Sequence, residues 1–358
     1  MLEYTDRHTT QASQILSAQD GMVHHVPEPF ELESGGILPE IKICYSTFGT
    51  YNPKNNNVVW VCHALTGNSN VLDWWNQLFG EGKLYDPAKY FIVCANVLGS
   101  CYGTTGPLEI NPATGKPYFA DFPEITIRDV VSSFELLRKH LGIQKIHTCI
   151  GGSLGGQQCI EWAVSNPELI ENLVIMATNA RSSSWCIALN ETQRMAIRTD
   201  KTWGQPFAEA GEEGMKVARA IALLSYRSYQ TYQETQQDDI NALNKYKAVS
   251  YQVYQGEKFG KRFNAYSYWA LTVMLDSHNV GRNRGSVAKA LSQIKAKTLV
   301  IGIDSDVLFP ILEQKFMVEH IKGAHLEVIS SLYGHDGFLM ETDVINSIIS
   351  KFYQSLKS

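Results

Sequence analysis

A glycine-rich hexapeptide, Gly151-Gly152-Ser153-Leu154-Gly155-Gly156, constrains the fold of this chain more than any other feature. It follows an apolar run at 146–150 and precedes a helical stretch at 157–165. G-x-S-x-G between a strand and a helix is typical of a sharp turn that exposes a nucleophilic serine. Glycines are needed because side chains beside such a turn would keep strand and helix apart. A glycine-rich turn of a Rossmann-like domain is the alternative, and the context favours the nucleophile.

Several apolar runs predict a parallel sheet around this turn. They are short, continuous and rich in β-branched residues, as in strands that are buried on both faces, and they lie at 58–62, 91–94, 146–150, 173–176 and 298–301. Amphipathic stretches alternate with them. The clearest has a capping box at Thr126 and Asp129 and a glycine stop at Gly142. This alternation indicates an α/β fold with a mostly parallel, doubly wound sheet.

The strand pattern is interrupted in the second half of the chain. The segment 181–292 is rich in Tyr, Gln, Arg and Ala and contains helical stretches, and the β/α pattern returns at Ile294. We therefore expect a core domain formed by 1–180 and 293–358, with a helical lid inserted at 181–292. The lid should cover the carboxyl edge of the sheet.

Composition excludes several classes of function. The chain has 358 residues, of which 44% are hydrophobic, and a net charge of −5 without a strong basic patch, so a nucleic-acid partner is not expected. No apolar run is long enough to predict a membrane span, and the polar segment 1–14 has no signal-peptide pattern. The seven cysteines form no CxxC pair, which indicates buried thiols in a cytoplasmic protein rather than disulfides or a metal site.

A serine hydroxyl is a weak nucleophile, so it needs a histidine base that is oriented by an acid. In the order that this kind of fold uses, the acid and then the histidine follow the serine. His335 lies in a glycine-flanked loop near the C-terminus, whereas His320 and His325 are better suited to the surface. Either Asp304 or Asp306, after the run at 298–303, could be the acid. We expect the other one to cap the turn that follows.

An oxyanion hole requires two backbone N–H donors. One is expected from Leu154, directly after the nucleophile, and the second from Leu65 in the loop 63–67, which follows the run at 58–62. His63 begins this loop but comes too early in the chain for the base. We expect it to shape the loop.

Ordered segments along nearly the whole chain resemble the homoserine O-acetyltransferases, enzymes of methionine biosynthesis with the α/β-hydrolase fold. Besides the serine turn and the loop 63–67, the similar segments are 96–107, 122–129, 189–194, 254–259, 262–268, 305–310 and 334–339. The resemblance implies that Asp306, the residue before Val307-Leu308-Phe309-Pro310, is the acid.

The resemblance also implies a set of substrate-binding residues. Arg219 matches the arginine that binds the homoserine carboxylate, Asp336 matches the group that holds the amine, and Tyr226 matches a further lid residue near homoserine. A zwitterion needs a fixed cation and a fixed anion, so these roles are physically reasonable. From the residues alone, Arg219 would be a solvated helical arginine, and Arg227 is its rival nearby.

The implied reaction is acyl transfer from acyl-CoA to the hydroxyl of L-homoserine through an acyl-serine intermediate. Acetyl-CoA is the favoured co-substrate, no metal or tightly held cofactor is expected, and the family implies a homodimer. Leu154 stands where methionine is common in the family, so succinyl transfer stays open. Serine as the acceptor, an esterase or thioesterase with the same triad, and a non-catalytic binding protein are the further alternatives.

Overall fold

The structure, a computed structural model, describes residues 21–356. The segment 1–14, on which we based the expectation of no signal peptide, lies outside these residues. The strands are, in chain order, β1 (Met22–Val26), β2 (Phe30–Glu31), β3 (Ile37–Leu38), β4 (Ile41–Phe48), β5 (Val58–Cys62), β6 (Phe91–Ala95), β7 (Ile110–Asn111), β8 (Lys116–Pro117), β9 (Ile146–Gly152), β10 (Ile170–Met176), β11 (Lys297–Ile303) and β12 (His325–Ile329).

Helices lie in five of the eleven connections between these strands, and two more follow β12. They are α1 (Val71–Trp74), α2 (Ile127–His140), α3 (Leu154–Ser165), α4 (Ser184–Arg198), α5 (Glu212–Tyr226), α6 (Tyr229–Thr235), α7 (Lys247–Gly260), α8 (Ala265–Asp276), α9 (Val287–Leu291), α10 (Ile311–His320), α11 (Gly337–Met340) and α12 (Thr342–Ser355). Short 3₁₀ turns lie at Phe119–Asp121 and Gly334–Asp336. Within residues 21–356, no helix combines the length and apolar character needed to cross a membrane.

Eight strands form the main sheet, in the order β1-β4-β6-β5-β9-β10-β11-β12. From β6 to β12 all neighbours are parallel, and β4 and β1 extend the sheet as antiparallel strands. The predicted α/β fold with a mostly parallel, doubly wound sheet is therefore confirmed. The five apolar runs of the sequence all lie in strands of this sheet.

The apolar runs are continuous because helices cover both faces of the sheet. On one face, the ring of Trp60 in β5 packs against Phe134 of α2 and Trp162 of α3, with ring centroids 5.7 and 4.8 Å apart. On the other face, Val61 of β5 belongs to the same buried cluster as Ile349 of α12. Each such buried side chain contributes roughly 1.5–3 kcal/mol to folding.

The capping box predicted at the start of α2 is present. The side chain of Thr126 accepts a hydrogen bond from the backbone N–H of Asp129, whose carboxylate accepts from the N–H of Thr126 at 2.7 Å. Gly142 has a φ of 69°, the left-handed conformation that ends a helix without steric cost. Local sequence signals thus set both ends of this helix.

Helices α4 to α9 lie between β10 and β11, in the segment predicted to be a lid. Helices α4, α5, α7 and α8 pack on one another, whereas α9 contacts α3 and α10 of the sheet layers. The domain boundaries at 181 and 292 stay a prediction. The chain leaves β10 at the carboxyl edge of the sheet, where the catalytic loops lie, and enters the parallel strand β11 at the opposite edge.

Candidate functional site

Ser153 stands on a strained turn between β9 and α3. Its φ is 57° and its ψ is −128°, which is unfavourable for a residue with a side chain. The flanking glycines allow the turn to pack closely: a Cβ on Gly155 would lie 2.0 Å from the carbonyl oxygen of Cys62. The N–H of Ser153 donates to the carbonyl of Met176 at 2.9 Å, which ties the turn to β10. The backbone therefore presents the hydroxyl at the carboxyl edge of the sheet.

The structure brings together Ser153, His335 and Asp306. Nε2 of His335 lies 2.9 Å from Oγ of Ser153, and Nδ1 lies 2.8 Å from Oδ2 of Asp306. All three side chains are buried. Because an ionised carboxylate only accepts, Nδ1 carries the proton and Nε2 is free to accept the serine proton. This is the geometry of a nucleophile, a base and an orienting acid.

The two aspartates after β11 have different surroundings. Asp304 is exposed and its carboxylate accepts from the N–H of Ser331 at 3.4 Å. The other carboxylate oxygen of Asp306 accepts from the N–H groups of Leu308 and Phe309 at 2.8 and 2.9 Å. The expectation that Asp304 caps this turn was therefore wrong, because Asp306 both contacts the histidine and caps the turn with its second oxygen.

The charge of the carboxylates controls His335. Burial disfavours a charged imidazole, but attraction to Asp306, their hydrogen bond and the nearby Asp336 together raise the pKa of His335 above its ordinary value. The rings of Tyr226, Phe309 and Phe338 surround the imidazole at centroid distances of 5.8, 5.3 and 5.5 Å. These apolar walls keep water away from the base.

The two expected oxyanion donors flank the serine turn. Leu154 is the first residue of α3, so its N–H has no partner within the helix and lies at the positive end of the helix dipole. Leu65 is buried in a turn that is closed by a hydrogen bond from the N–H of Gly67 to the carbonyl of Ala64 at 2.9 Å. The role of both leucines as oxyanion donors stays a prediction.

His63 is fully buried at the base of this turn. Its Nδ1 lies 2.8 Å from the carbonyl of Ala64, and its Nε2 accepts from the N–H of Val97 at 3.0 Å. Burial lowers the pKa of His63 to about 4, so the ring is neutral at physiological pH. Both nitrogens are occupied by the backbone, which agrees with a role in shaping the loop.

Lid residues expected to bind homoserine approach the triad. Arg219 and Tyr226 lie two turns apart on α5, and the guanidinium carbon of Arg219 is 5.5 Å from the Tyr226 ring centroid. Within residues 21–356, Arg219 forms no salt bridge, so its charge is available to a ligand. Asp336 instead lies 3.0 Å from Nε of Arg227. The rival arginine thus binds the acidic partner and holds it beside His335.

Three buried thiols come together next to the serine turn. The sulfurs of Cys62, Cys149 and Cys159 all lie within 4.8 Å of one another, a grouping that the sequence analysis did not foresee. All seven cysteines are free thiols. Burial raises the pKa values of Cys62 and Cys159 well above the ordinary range, whereas hydrogen bonds with these two thiols lower the pKa of Cys149 to about 5. The absence of a resident metal stays a prediction.

Three further lid residues contact the catalytic loops without having been predicted from the sequence. Each donates to a backbone carbonyl: Trp185 Nε1 to Val307 O at 2.7 Å, Ser228 Oγ to Leu332 O, and Arg262 Nη1 to Thr66 O at 2.8 Å. Every residue has a backbone carbonyl, so the sequence does not show which one accepts such a hydrogen bond. The one available signal was that Arg262 lies in a segment with family resemblance.

Cavity size does not identify the site. A cavity of about 760 Å³, lined among others by Lys145, His147 and Tyr353, lies at the amino end of the parallel strands, whereas the triad loops lie at their carboxyl end. A smaller cavity of about 280 Å³, lined among others by Arg227 and Val307, adjoins the loop of the acid. The hydrogen-bonded side chains are therefore the better guide to the chemistry.

Comparisons with known proteins agree with this geometry. Residues 57–342 match the family model for the α/β hydrolase fold. A homoserine O-acetyltransferase of Cyclobacterium marinum is 51% identical over 332 residues, which cover 92% of this chain and 94% of the relative. The crystal structure of homoserine O-acetyltransferase from Staphylococcus aureus is similar with a TM-score of 0.78 at 30% identity, covering 94% and 95% of the two chains. Esterase E22 has the same fold, with a TM-score of 0.86 at 24% identity, covering 92% and 98%.

Proposed function

The chain belongs to the homoserine O-acetyltransferase family of the α/β-hydrolase fold, and we propose on this premise that it transfers an acetyl group from acetyl-CoA to the hydroxyl of L-homoserine. The observation that carries the proposal is the hydrogen-bonded series from Ser153 through His335 to Asp306, beneath a lid that presents the cation of Arg219, which has no acidic partner within residues 21–356. The hydrogen-bonded series supplies a nucleophile, and Arg219 supplies a site for an amino-acid carboxylate.

In the first half-reaction, Nε2 of His335 takes the proton of Ser153 as its Oγ attacks the thioester carbon. The N–H groups of Leu65 and Leu154 stabilise the oxyanion of the tetrahedral intermediate, each by roughly 3–4 kcal/mol. The intermediate collapses, the C–S bond breaks, and His335 returns the proton to the sulfur of CoA. The product is an acetyl ester on Ser153.

In the second half-reaction, the hydroxyl of homoserine takes the place of CoA. Arg219 binds its carboxylate and Asp336 binds its ammonium group, while His335 takes the hydroxyl proton. The oxygen attacks the acetyl carbon, and the Ser153 ester bond breaks with return of the proton to Oγ. This sequence gives ping-pong kinetics and leaves O-acetylhomoserine. The residues complete it alone, so we also propose that no metal or tightly held cofactor takes part.

Hydrolysis of acetyl esters is a second candidate, because esterase E22 shares the fold. Water needs no charged residues to bind it, whereas Arg219 lacks a carboxylate partner within residues 21–356 and Asp336 stands beside the base. A cation that lacks an acidic partner near the triad fits a zwitterionic acceptor better than water. These two charges favour transfer over hydrolysis.

One assay panel tests the proposal. Purified protein is given acetyl-CoA or succinyl-CoA with homoserine or serine, and CoA release and product mass are recorded together. We expect acetyl-CoA with homoserine to be the fastest pair and O-acetylhomoserine to exceed acetate. Equal CoA release with and without an acceptor would favour the esterase, and a faster succinyl or serine reaction would change the donor or the acceptor.

We further propose that the chain acts as a homodimer in the cytoplasm. Exposed apolar side chains on the lid helices favour association of two lids; these are Val217, Leu224, Val249 and Val253. The free thiols of all seven cysteines suit a reducing compartment. Sedimentation velocity at micromolar concentration should give twice the mass of the chain, and a monomer would contradict the first part.

A further inference from the structure

Arg262 joins the lid to the oxyanion loop, which we define as residues 63–67. It lies between α7 and α8, and its Nη1 donates to the carbonyl of Thr66 at 2.8 Å and to the hydroxyl of Tyr102 at 2.7 Å. Nη2 lies 3.4 Å from the hydroxyl of Thr66. The guanidinium carbon lies 5.2 Å from the ring centroid of Phe259. The side chain is thus fixed by hydrogen bonds on one side and by an aromatic face on the other.

The contact between Arg262 and Thr66 lies next to the residue that is expected to form the oxyanion hole. Thr66 directly follows Leu65, whose N–H is the expected donor, in a turn closed by the bond between Ala64 and Gly67. Fixing the Thr66 carbonyl limits rotation of the peptide units in this turn. The direction of the Leu65 N–H therefore depends on Arg262, although Arg262 itself is not expected to touch the reacting atoms.

Core residues hold the two ends of the same loop. His63 is fixed by Val97 and by Gln158, whose Nε2 donates to its carbonyl at 3.1 Å. After the loop, the N–H of Ser69 donates to Asn96 at 2.7 Å. These bonds anchor the two ends, whereas the turn between them faces the lid and receives Arg262.

The same aromatic ring also contacts the proposed substrate-binding cation. The guanidinium carbon of Arg219 lies 5.1 Å from the Phe259 centroid, close to the 5.2 Å of Arg262. One ring of α7 thus contacts both the arginine for the homoserine carboxylate and the arginine for the oxyanion loop. The lid can therefore position both the acceptor and the loop that stabilises charge on the acyl group.

We propose that Arg262 is a positioning residue that orients the oxyanion loop from the lid side and thereby sets the rate of both acyl-transfer steps. The inference rests on the proposed function, because it assigns Leu65 to the oxyanion hole. Since both tetrahedral intermediates use the same hole, loss of the anchor slows acylation and deacylation alike. Binding of homoserine in the ground state does not use the hole and is unaffected.

Arg262→Met tests this role, because methionine keeps an apolar stem against Phe259 and removes every donor. Arg198→Met is the matched control: Arg198 is also a lid arginine over an aromatic ring, 5.4 Å from Trp269, and its guanidinium donates to Glu191 of the lid. For each protein we would measure kcat and KM for homoserine, and the release of nitrophenolate from p-nitrophenyl acetate, which needs neither CoA nor homoserine.

We expect Arg262→Met to lower kcat and nitrophenolate release by about 10- to 100-fold, with KM for homoserine within about twofold of the wild type. Arg262→Lys, which keeps the charge and one donor group, should be intermediate, and Arg198→Met should match the wild type. If Arg262→Met does not fold, Arg262→Lys decides, with a loss of at least about threefold expected in kcat.

Two results would overturn the inference: ester reactivity of the folded Arg262 variants equal to that of Arg198→Met, or a rise of KM with kcat unchanged. The second would make Arg262 a substrate-binding residue. Failure of the proposed function looks different. A wild-type protein that acetylates Ser153 from the ester but transfers nothing to homoserine would refute the transferase, while the Arg262 comparison on the ester would stand.

Discussion

The sheet edge and the lid contribute to the site in different ways. Residues of the sheet edge follow directly from buried strands: Ser153 comes after β9 and Asp306 after β11, and each is held by backbone hydrogen bonds. Lid residues reach the site from helices with exposed apolar faces, and they act through long side chains such as Arg219 and Arg262. The sheet edge therefore fixes the reacting atoms, and the lid selects the acceptor and holds the loops.

Substitutions in the two regions should therefore affect different reactions. Changes at the sheet edge should remove chemistry with any acyl donor, because they remove the nucleophile or its base. Changes at the lid residues that bind the acceptor should discriminate between homoserine and water, whereas changes at a lid residue that holds the oxyanion loop, such as Arg262, should slow both reactions. Loss of ester cleavage on substitution of an acceptor-binding lid residue, or a sheet-edge substitution that affected only homoserine, would break the comparison.

The largest effect is expected from Ser153→Ala. Without the nucleophile no acetyl-enzyme forms, and kcat should fall by about 10⁶-fold, as when a catalytic serine is removed from a triad. CoA release in the presence of homoserine measures this loss. The melting temperature should not fall, because alanine removes a hydroxyl from a strained turn. Turnover within tenfold of the wild type would refute the covalent route.

Asp306→Asn should have the next largest effect. An amide can donate to Nδ1 of His335 and so stabilise the wrong tautomer, which lowers kcat by about 10⁴-fold. Asp304→Asn is the matched control, because Asp304 is exposed and bonds only to the backbone of Ser331 among the catalytic loops. Both variants are assayed by nitrophenolate release from p-nitrophenyl acetate. A greater loss for Asp304→Asn would reverse the assignment of the acid.

Arg219→Met should have a smaller effect that is confined to the acceptor. Loss of a hydrogen bond to a charged group costs about 1.5–3 kcal/mol. This cost corresponds to about a 10- to 100-fold lower kcat/KM for homoserine. Ester hydrolysis should stay near the wild-type rate, since water does not use Arg219. If both reactions fell equally, Arg219 would support the lid rather than bind the carboxylate.

The smallest effect is expected in the pH profile of Asp336→Asn. The carboxylate of Asp336 contributes to the raised pKa of His335, which must be neutral to act as a base. Activity of the wild type is therefore lost as the pH falls through this raised pKa. In the variant the acidic limb of kcat/KM for p-nitrophenyl acetate should move to lower pH. An unchanged limb would mean that Asp306 alone sets the pKa.

The sheet edge was more predictable from sequence than the lid. Buried parallel strands give continuous apolar runs, so the fold could be predicted. A sharp strand–turn–helix needs glycines beside the serine, so Ser153 could be identified. Asp304 and Asp306 both lie within three residues of the end of β11, and the direction of each side chain, which the sequence does not show, decides between them. The residue pattern alone therefore did not identify which of the two aspartates is the acid.

In the lid, the important contacts depend on tertiary structure. The lid residues that touch the catalytic loops bond to carbonyl oxygens, which every residue has, so the sequence does not mark them. The pairing of Asp336 with Arg227 brings together the 3₁₀ turn Gly334–Asp336 at the sheet edge and the end of α5, which lie more than 100 positions apart. Likewise, Cys62, Cys149 and Cys159 meet only because β5 and β9 are neighbours and α3 packs against both.

The most direct test of the account is the fate of an acetyl group on Ser153. The protein is mixed with acetyl-CoA alone, and the acetylated peptide is identified by mass spectrometry; homoserine or buffer is then added and the decay is followed. We predict one acetyl group, on Ser153, that homoserine removes much faster than water and recovers as O-acetylhomoserine. Absence of the acetyl-enzyme, or decay to acetate at a rate that homoserine does not change, would contradict the proposed transferase.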